Sequence, residues 1–260
     1  MFNLVRAYLY KTTKSKIFWV LLALTTCSAT AMFSIAYGIG NNSINESISN
    51  VGFLLSDMNT MSIVGAVLAT TLICSDFDTK NIHHPIISGF ARIQIVISKA
   101  IVFWILLIVL VSPYIIVTII GLSMDSTFSM GGKAAGFLSI LTATTSSSFA
   151  DYVTIMSTMT IVYLAQLTTC ILLAFAFRKS VLVVAAYYMM SMFFGQVASF
   201  QDSFKMVDKV LSFTPYSAEY LAINVSMSKG DLISAVSICV VFIVVILYVT
   251  FMTFRKAEIK

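Results

Sequence analysis

Six runs of about 20 apolar residues, nearly free of charge, dominate this 260-residue chain, and each suits the ~30 Å hydrocarbon core that a transmembrane helix crosses. They cover Ile17 to Ile39, Phe53 to Ser75, Ala100 to Leu122, Tyr152 to Phe177, Ser180 to Phe200, and Leu232 to Phe254. Only the second carries a charge, Asp57, near its outer end. Runs of this length leave short connections and no room for a separate globular unit. The chain therefore reads as one all-α membrane domain spanning residues 1–260. Its 59% hydrophobic and 10% charged residues agree, since a soluble domain holds roughly 45–50% and 25%.

Lysine and arginine set the orientation, because cytoplasmic loops keep the positive excess. With the N-terminus inside, the inner segments hold Arg6, Lys11, Lys14, Lys16, Lys80 and Arg92, then Lys99, Arg178, Lys179, Arg255, Lys256 and Lys260. The outer segments hold Lys133, Lys205, Lys209 and Lys229. This asymmetry predicts that both termini face the cytoplasm. The formal charge of +5 records that loop bias, and no nucleic-acid partner is read from it.

The basic N-terminus, the first apolar run and Ala29-Thr30-Ala31 imitate a secretory signal. The run continues past the tripeptide, so the expectation is an uncleaved first helix. Before it, Phe2, Val5, Tyr8 and Leu9 recur at helical spacing away from the lysines, which predicts a short helix in the inner interface. Arg178 and Lys179 alone separate the fourth and fifth runs, which predicts a tight hairpin. In the outer loops, 134–150 is rich in small residues, Ser and Thr, and 203–215 shows helical spacing ended near Pro215. Each is read either as an interfacial loop or as a gate.

Several chemistries are missing from the sequence. Cys27, Cys74, Cys170 and Cys239 fall in different apolar runs and read as small buried hydrophobes. The adjacent His83 and His84 do not share a helix face and make no metal site alone. Gly132-Lys133 lacks the glycine and Ser/Thr of a phosphate loop, so no nucleotide site is expected in this chain. No catalytic residue, cofactor ligand or metal ligand is assigned. Pro113 is expected to bend the third span, and Gln166 and Gln196 are polar at depth.

The loop from Asp76 to Lys99 alternates polar and apolar residues and breaks at Ser88-Gly89 before a second helical stretch. It reads as a short amphipathic element presented to a soluble partner. Here the chain resembles the membrane subunits of bacterial ABC-2 type transporters. Their loop runs approximately acid-x-acid-x-Gly-Thr-Ile, a few variable residues, two aliphatics, Ser-Gly-aromatic-small-Arg, then a lysine seven residues later. Asp76, Asp78, Ile82, Ile86, Ile87 and Ser88 match, as do Gly89, Phe90, Arg92 and Lys99, while Lys80, Asn81 and Pro85 depart.

The resemblance implies a plasma-membrane exporter subunit of the ABC-2 permease kind, working as a homodimer or heterodimer with two separate ATPases that hold ATP and Mg. It implies a coupling helix around Asn81 to Ile87, with Asn81, Ile82, His83, His84, Pro85, Ile86, Ile87 and Arg92 meeting the ATPase. Ser28, Thr30 and Ser34 in the first span, and Ser191, Gln196 and Ser199 in the fifth, become candidates for lining a pathway or for packing between helices. Amphipathic peptide, drug or lipid is the implied cargo, with peptide export or immunity the first expectation. An ion-coupled carrier acting alone through Asp57, and a non-transporting scaffold, are the rival readings.

Overall fold

A computed structural model describes residues 1–45, 48, 55–124, 127–129, 136–142, 149–199, 209–217, 220, 223 and 227–256. Among them every regular element is helical. Helix α1 (Phe2–Thr13) precedes α2 (Lys16–Gly40) and α3 (Asp57–Asp78). A five-residue α4 (His83–Ile87) leads to the long α5 (Arg92–Leu122). The short α6 (Leu138–Thr142) precedes α7 (Phe149–Phe177), α8 (Ser180–Ser199) and α9 (Lys229–Lys256). Helices α2, α3, α5, α7, α8 and α9 are long and apolar enough to cross a membrane, making this a multi-pass membrane protein.

Local chemistry explains several helix ends. Ser15 Oγ accepts from the Ile17 amide at the start of α2. At α9, Ser228 Oγ accepts from the Asp231 amide and donates to its carboxylate at 2.8 Å, a reciprocal cap. Between α7 and α8 the chain turns within two residues, with Arg178 at a left-handed φ of 57°. Pro113 lies inside α5 without ending it. Its ring cannot donate to the Val109 carbonyl four residues back, and the Ser112 hydroxyl donates there instead at 2.8 Å.

Helix α3 is the centre, packed against α2, α5, α7 and α8. Gly65 faces the Leu167 side chain of α7 with no room for a methyl group. The helix is not uniform, because Thr70–Cys74 is π-helical. Helices α7 and α9 make the most extensive pairing in the bundle, and α1 packs against α5. The buried side chains form one continuous core. Around it, α8 and α9 expose Val181, Met189, Phe193, Val241 and Val244, a surface that only lipid or another apolar partner satisfies.

In α1 Leu4, Tyr8 and Thr12 are buried against the bundle, Val5 and Leu9 are half-buried, and Phe2 is 80% exposed. The second span begins at Asp57, and 53–54 lie outside the described residues. Of the outer segments, 136–142 and 209–215 are described, while most of 143–150 and all of 203–208 are not.

Candidate functional site

Helix ends group two faces of the bundle. The face holding α1, the ends of α3, α7 and α9, and the start of α5 carries 11 of the 13 described lysines and arginines, from Arg6 to Lys256. At this basic face α4 stands out from the bundle. Ile82 anchors it, being 1% exposed, and donates its amide to the Asp76 carbonyl at 3.1 Å. Asn81, His84 and Ile87 are exposed, with Ile87 at 81%, while His83, Pro85 and Ile86 are half-buried. The helix starts two residues later than expected, after Lys80 takes a left-handed φ of 56°. Pro85 sits in its first turn, where a missing N–H leaves no bond unmade. Gly89 at φ 83° ends it, and its amide donates to the Ile86 carbonyl.

Two residues expected at a partner surface point elsewhere. Ile82 is turned into the core because one side of so short an element must bury to hold it in place. Arg92 donates to the Phe254 and Arg255 carbonyls at 3.0 and 2.8 Å, and its guanidinium lies 5.6 Å from the Phe254 ring centre. Carbonyls at the end of a helix lack intrahelical partners, so Arg92 caps α9 from α5.

Beneath α4 lies a buried ion cluster. Lys99, wholly buried about two turns into α5, donates to the Asp76 carboxylate at 2.5 Å and to the Leu72 carbonyl at 2.6 Å. That carbonyl belongs to the π-helical stretch of α3, whose widened turn brings it within the lysine's reach. Lys11 of α1, half-exposed, donates to the other Asp76 oxygen. The Lys99 ammonium also lies 4.6 Å from the centre of the Tyr8 ring. Burial pushes the Tyr8 phenol well above its usual range and the Asp76 charge adds to it, so Tyr8 stays neutral. One carboxylate thus joins α1, α3 and α5.

The six candidate pathway residues do not converge on one cavity. Ser28 is buried and donates to the Leu55 carbonyl at 2.8 Å, with Thr60 Oγ1 at 3.0 Å. Ser191 meets Ser62 at 3.0 Å, joining α8 to α3. Both serve contacts between helices. Thr30 and Ser34 lie on the exposed face of α2, bonded back to their own helix, and Gln196 is exposed on α8. The Ser199 side chain lies outside the described residues.

At the opposite face Asp57, the first residue of α3, is wholly buried. Its Oδ2 accepts from Tyr163 Oη at 2.6 Å and from the Phe137 amide at 3.0 Å. Oδ1 is buried without a hydrogen-bond partner. Gly136, at φ 66°, packs against this carboxylate so closely that a Cβ would collide with it. Phe137 and Ile140 are 1% exposed, so Asp57 tethers a loop segment that plugs this end of the bundle. Gln166 is also engaged, donating to the Pro215 carbonyl at 2.8 Å.

Cys74, Cys170 and Cys239 are buried as expected, while Cys27 is exposed on α2. Among the described residues no group of three or more His, Cys, Asp and Glu is placed to hold a metal. No protein-family model matches the chain, and no curated protein matches it significantly.

Proposed function

We propose that the chain is the membrane-spanning subunit of a bacterial ABC exporter of the ABC-2 kind, coupled through α4 to separate cytoplasmic ATPases. The observation that carries this reading is the pedestal beneath α4: an exposed five-residue helix anchored by Ile82 above the Lys11–Asp76–Lys99 cluster. A force applied to Ile87 or His84 reaches α1, α3 and α5 together through a charged joint too costly to pull apart. In this reading ATP and Mg bind to the ATPases, and this chain supplies no catalytic group.

The pathway forms between two copies. Helices α2 and α8 both pack against the central α3, whose Ile63 is 43% exposed. Their outward faces, with Thr30 and Ser34 on one and Met189, Met192 and Gln196 on the other, are offered to a second subunit. Amphipathic peptide, drug or lipid is the proposed cargo class, and the bacterial plasma membrane the site of action.

The test is co-purification with an ABC ATPase encoded beside the gene, followed by ATP turnover in proteoliposomes. Ile87→Glu and His84→Glu should abolish co-purification while leaving the detergent-purified subunit intact. Assembly and turnover unchanged in both variants would remove the docking role. A second reading, an ion-coupled carrier acting alone, is favoured by the complete burial of Asp57. It requires transport that follows pH or an ionophore without any ATPase, and that fails in Asp57→Asn.

A further inference from the structure

Helix α1 gives Leu4, Tyr8 and Thr12 to the bundle, and its Lys11 is held by Asp76. Its outward side has a different chemistry. Phe2, Arg6, Tyr10 and the C-cap residue Lys14 recur every four residues, so aromatic and cation alternate along one ridge of the helix. Phe2 is 80% and Tyr10 67% exposed, Arg6 and Lys14 are exposed, and the Lys14 ammonium lies 5.9 Å from the centre of the Tyr10 ring. Past a two-residue link, Trp19 reaches back to α1 from the first turn of α2, 60% exposed, with its indole N–H donating to the Thr13 carbonyl at 3.0 Å. The one polar atom of that ring is satisfied within the protein, so the surface it offers is apolar.

Charge selects the partner. Residues 1–45 hold Arg6, Lys11, Lys14 and Lys16 but no Asp or Glu, and among the described residues no acidic side chain pairs with Arg6, Lys14 or Lys16. The ridge therefore calls for an anion with apolar surface beside it. Position in the chain identifies the source: Lys16 opens α2, and no charged residue follows until Glu46, so these cations stand directly before a helix long and apolar enough to cross a membrane. Exposed Ile17, Val20 and Leu24 continue the apolar surface along α2. Cations grouped beside a span are attracted to anionic lipid. A zwitterionic headgroup brings a cation of its own to the same surface and is the weaker partner.

We propose that the outer ridge of α1 and the first turn of α2 form a binding surface for anionic phospholipid, with phosphates on Arg6, Lys14 and Lys16 and hydrocarbon against Phe2, Tyr10 and Trp19. The surface needs only that α2 crosses a bilayer, and is independent of any ATPase. It is also separate from the α2 face offered to a second subunit, since Thr30 lies 11 residues, about 16 Å, further along the helix than Trp19.

The chain has two tryptophans, Trp19 and Trp104, so Trp104→Phe leaves Trp19 as a reporter at the proposed surface. The full-length variant is reconstituted in equimolar phosphatidylcholine and phosphatidylglycerol, with quenching bromines on the chains of one lipid or the other. Brominated phosphatidylglycerol should quench Trp19 as though enriched about fivefold around it, the effect of one compensated cation. Adding Arg6→Gln, Lys14→Gln and Lys16→Gln should make the two lipids equal, while Lys179→Gln at the turn between α7 and α8 should not. Raising salt to about 1 M, where the Debye length is about 3 Å, should also erase the preference, which keeps the test open should the triple variant fail to fold. Should Trp104→Phe fail to fold, the wild-type signal less that of Trp19→Phe reports the same contact. Equal quenching by both lipids before any cation is removed, a preference that survives both the triple substitution and salt, or quenching by neither lipid, as when protein covers Trp19, overturns the proposal.

Discussion

Asp76 of α3 and Lys99 of α5 meet at 2.5 Å with both side chains removed from solvent. Breaking a buried pair strands the remaining charge, at a cost of about 3–5 kcal/mol. Lys99→Met should therefore lower thermal stability in detergent sharply. Adding Asp76→Leu to Lys99→Met should recover part of the loss, because both desolvated charges are then gone. Lys11→Gln should cost about 0–1 kcal/mol, since half of that side chain is in water. A Lys11 variant as damaging as the Lys99 variant would show that the joint to α1 dominates.

Asp57 predicts a different pattern at the other end. Its Oδ2 holds Tyr163 and the Phe137 amide, so Tyr163→Phe removes one bond to a charged or charge-sharing group, worth about 1.5–3 kcal/mol. Gly136→Ala adds a collision with the carboxylate to a left-handed backbone, and should release the 136–142 segment. Cysteine accessibility at Ile140→Cys measures this: it should be protected in an otherwise wild-type protein and labelled once Gly136→Ala is added. Equal labelling in both backgrounds would dissolve the plug.

The spans were legible because a charge-free run of the right length has one physical solution in a bilayer, and expected and observed bounds differ by a few residues at most ends. Lys99 was harder to place. Its position beside a long apolar run suits a snorkelling lysine as well as a buried one, and only the partner at matching depth, Asp76, separates the two. The face of α4 was not legible either, since five residues contain too few turns for a periodicity to show that Ile82 points inward. Asp57 was found as the only charge in its run, but Tyr163, 106 residues away, carries no sequence signal that ties it there.

Orientation is open to a direct test. The basic face should be cytoplasmic if lysine and arginine direct insertion. Reporter fusions after Ser88 should then report a cytoplasmic position, and fusions after Met124 an external one. Converting Arg178 and Lys179 to glutamine should weaken the bias without inverting it, because most of the basic residues remain in place.

The approach of α3 to α7 gives the last prediction. Gly65 faces Leu167 Cδ2, which a Cβ would meet at 2.6 Å, so Gly65→Ala must displace a buried leucine from a packed core. Overpacking of this kind costs about 1–3 kcal/mol. Leu167→Ala alone leaves a cavity and costs about 2–5 kcal/mol. Together the two changes should cost less than their sum, because the added methyl group occupies space the leucine vacates. A double-mutant cycle on thermal stability measures this, and strict additivity would mean that α3 and α7 separate to admit the methyl group instead of repacking around it.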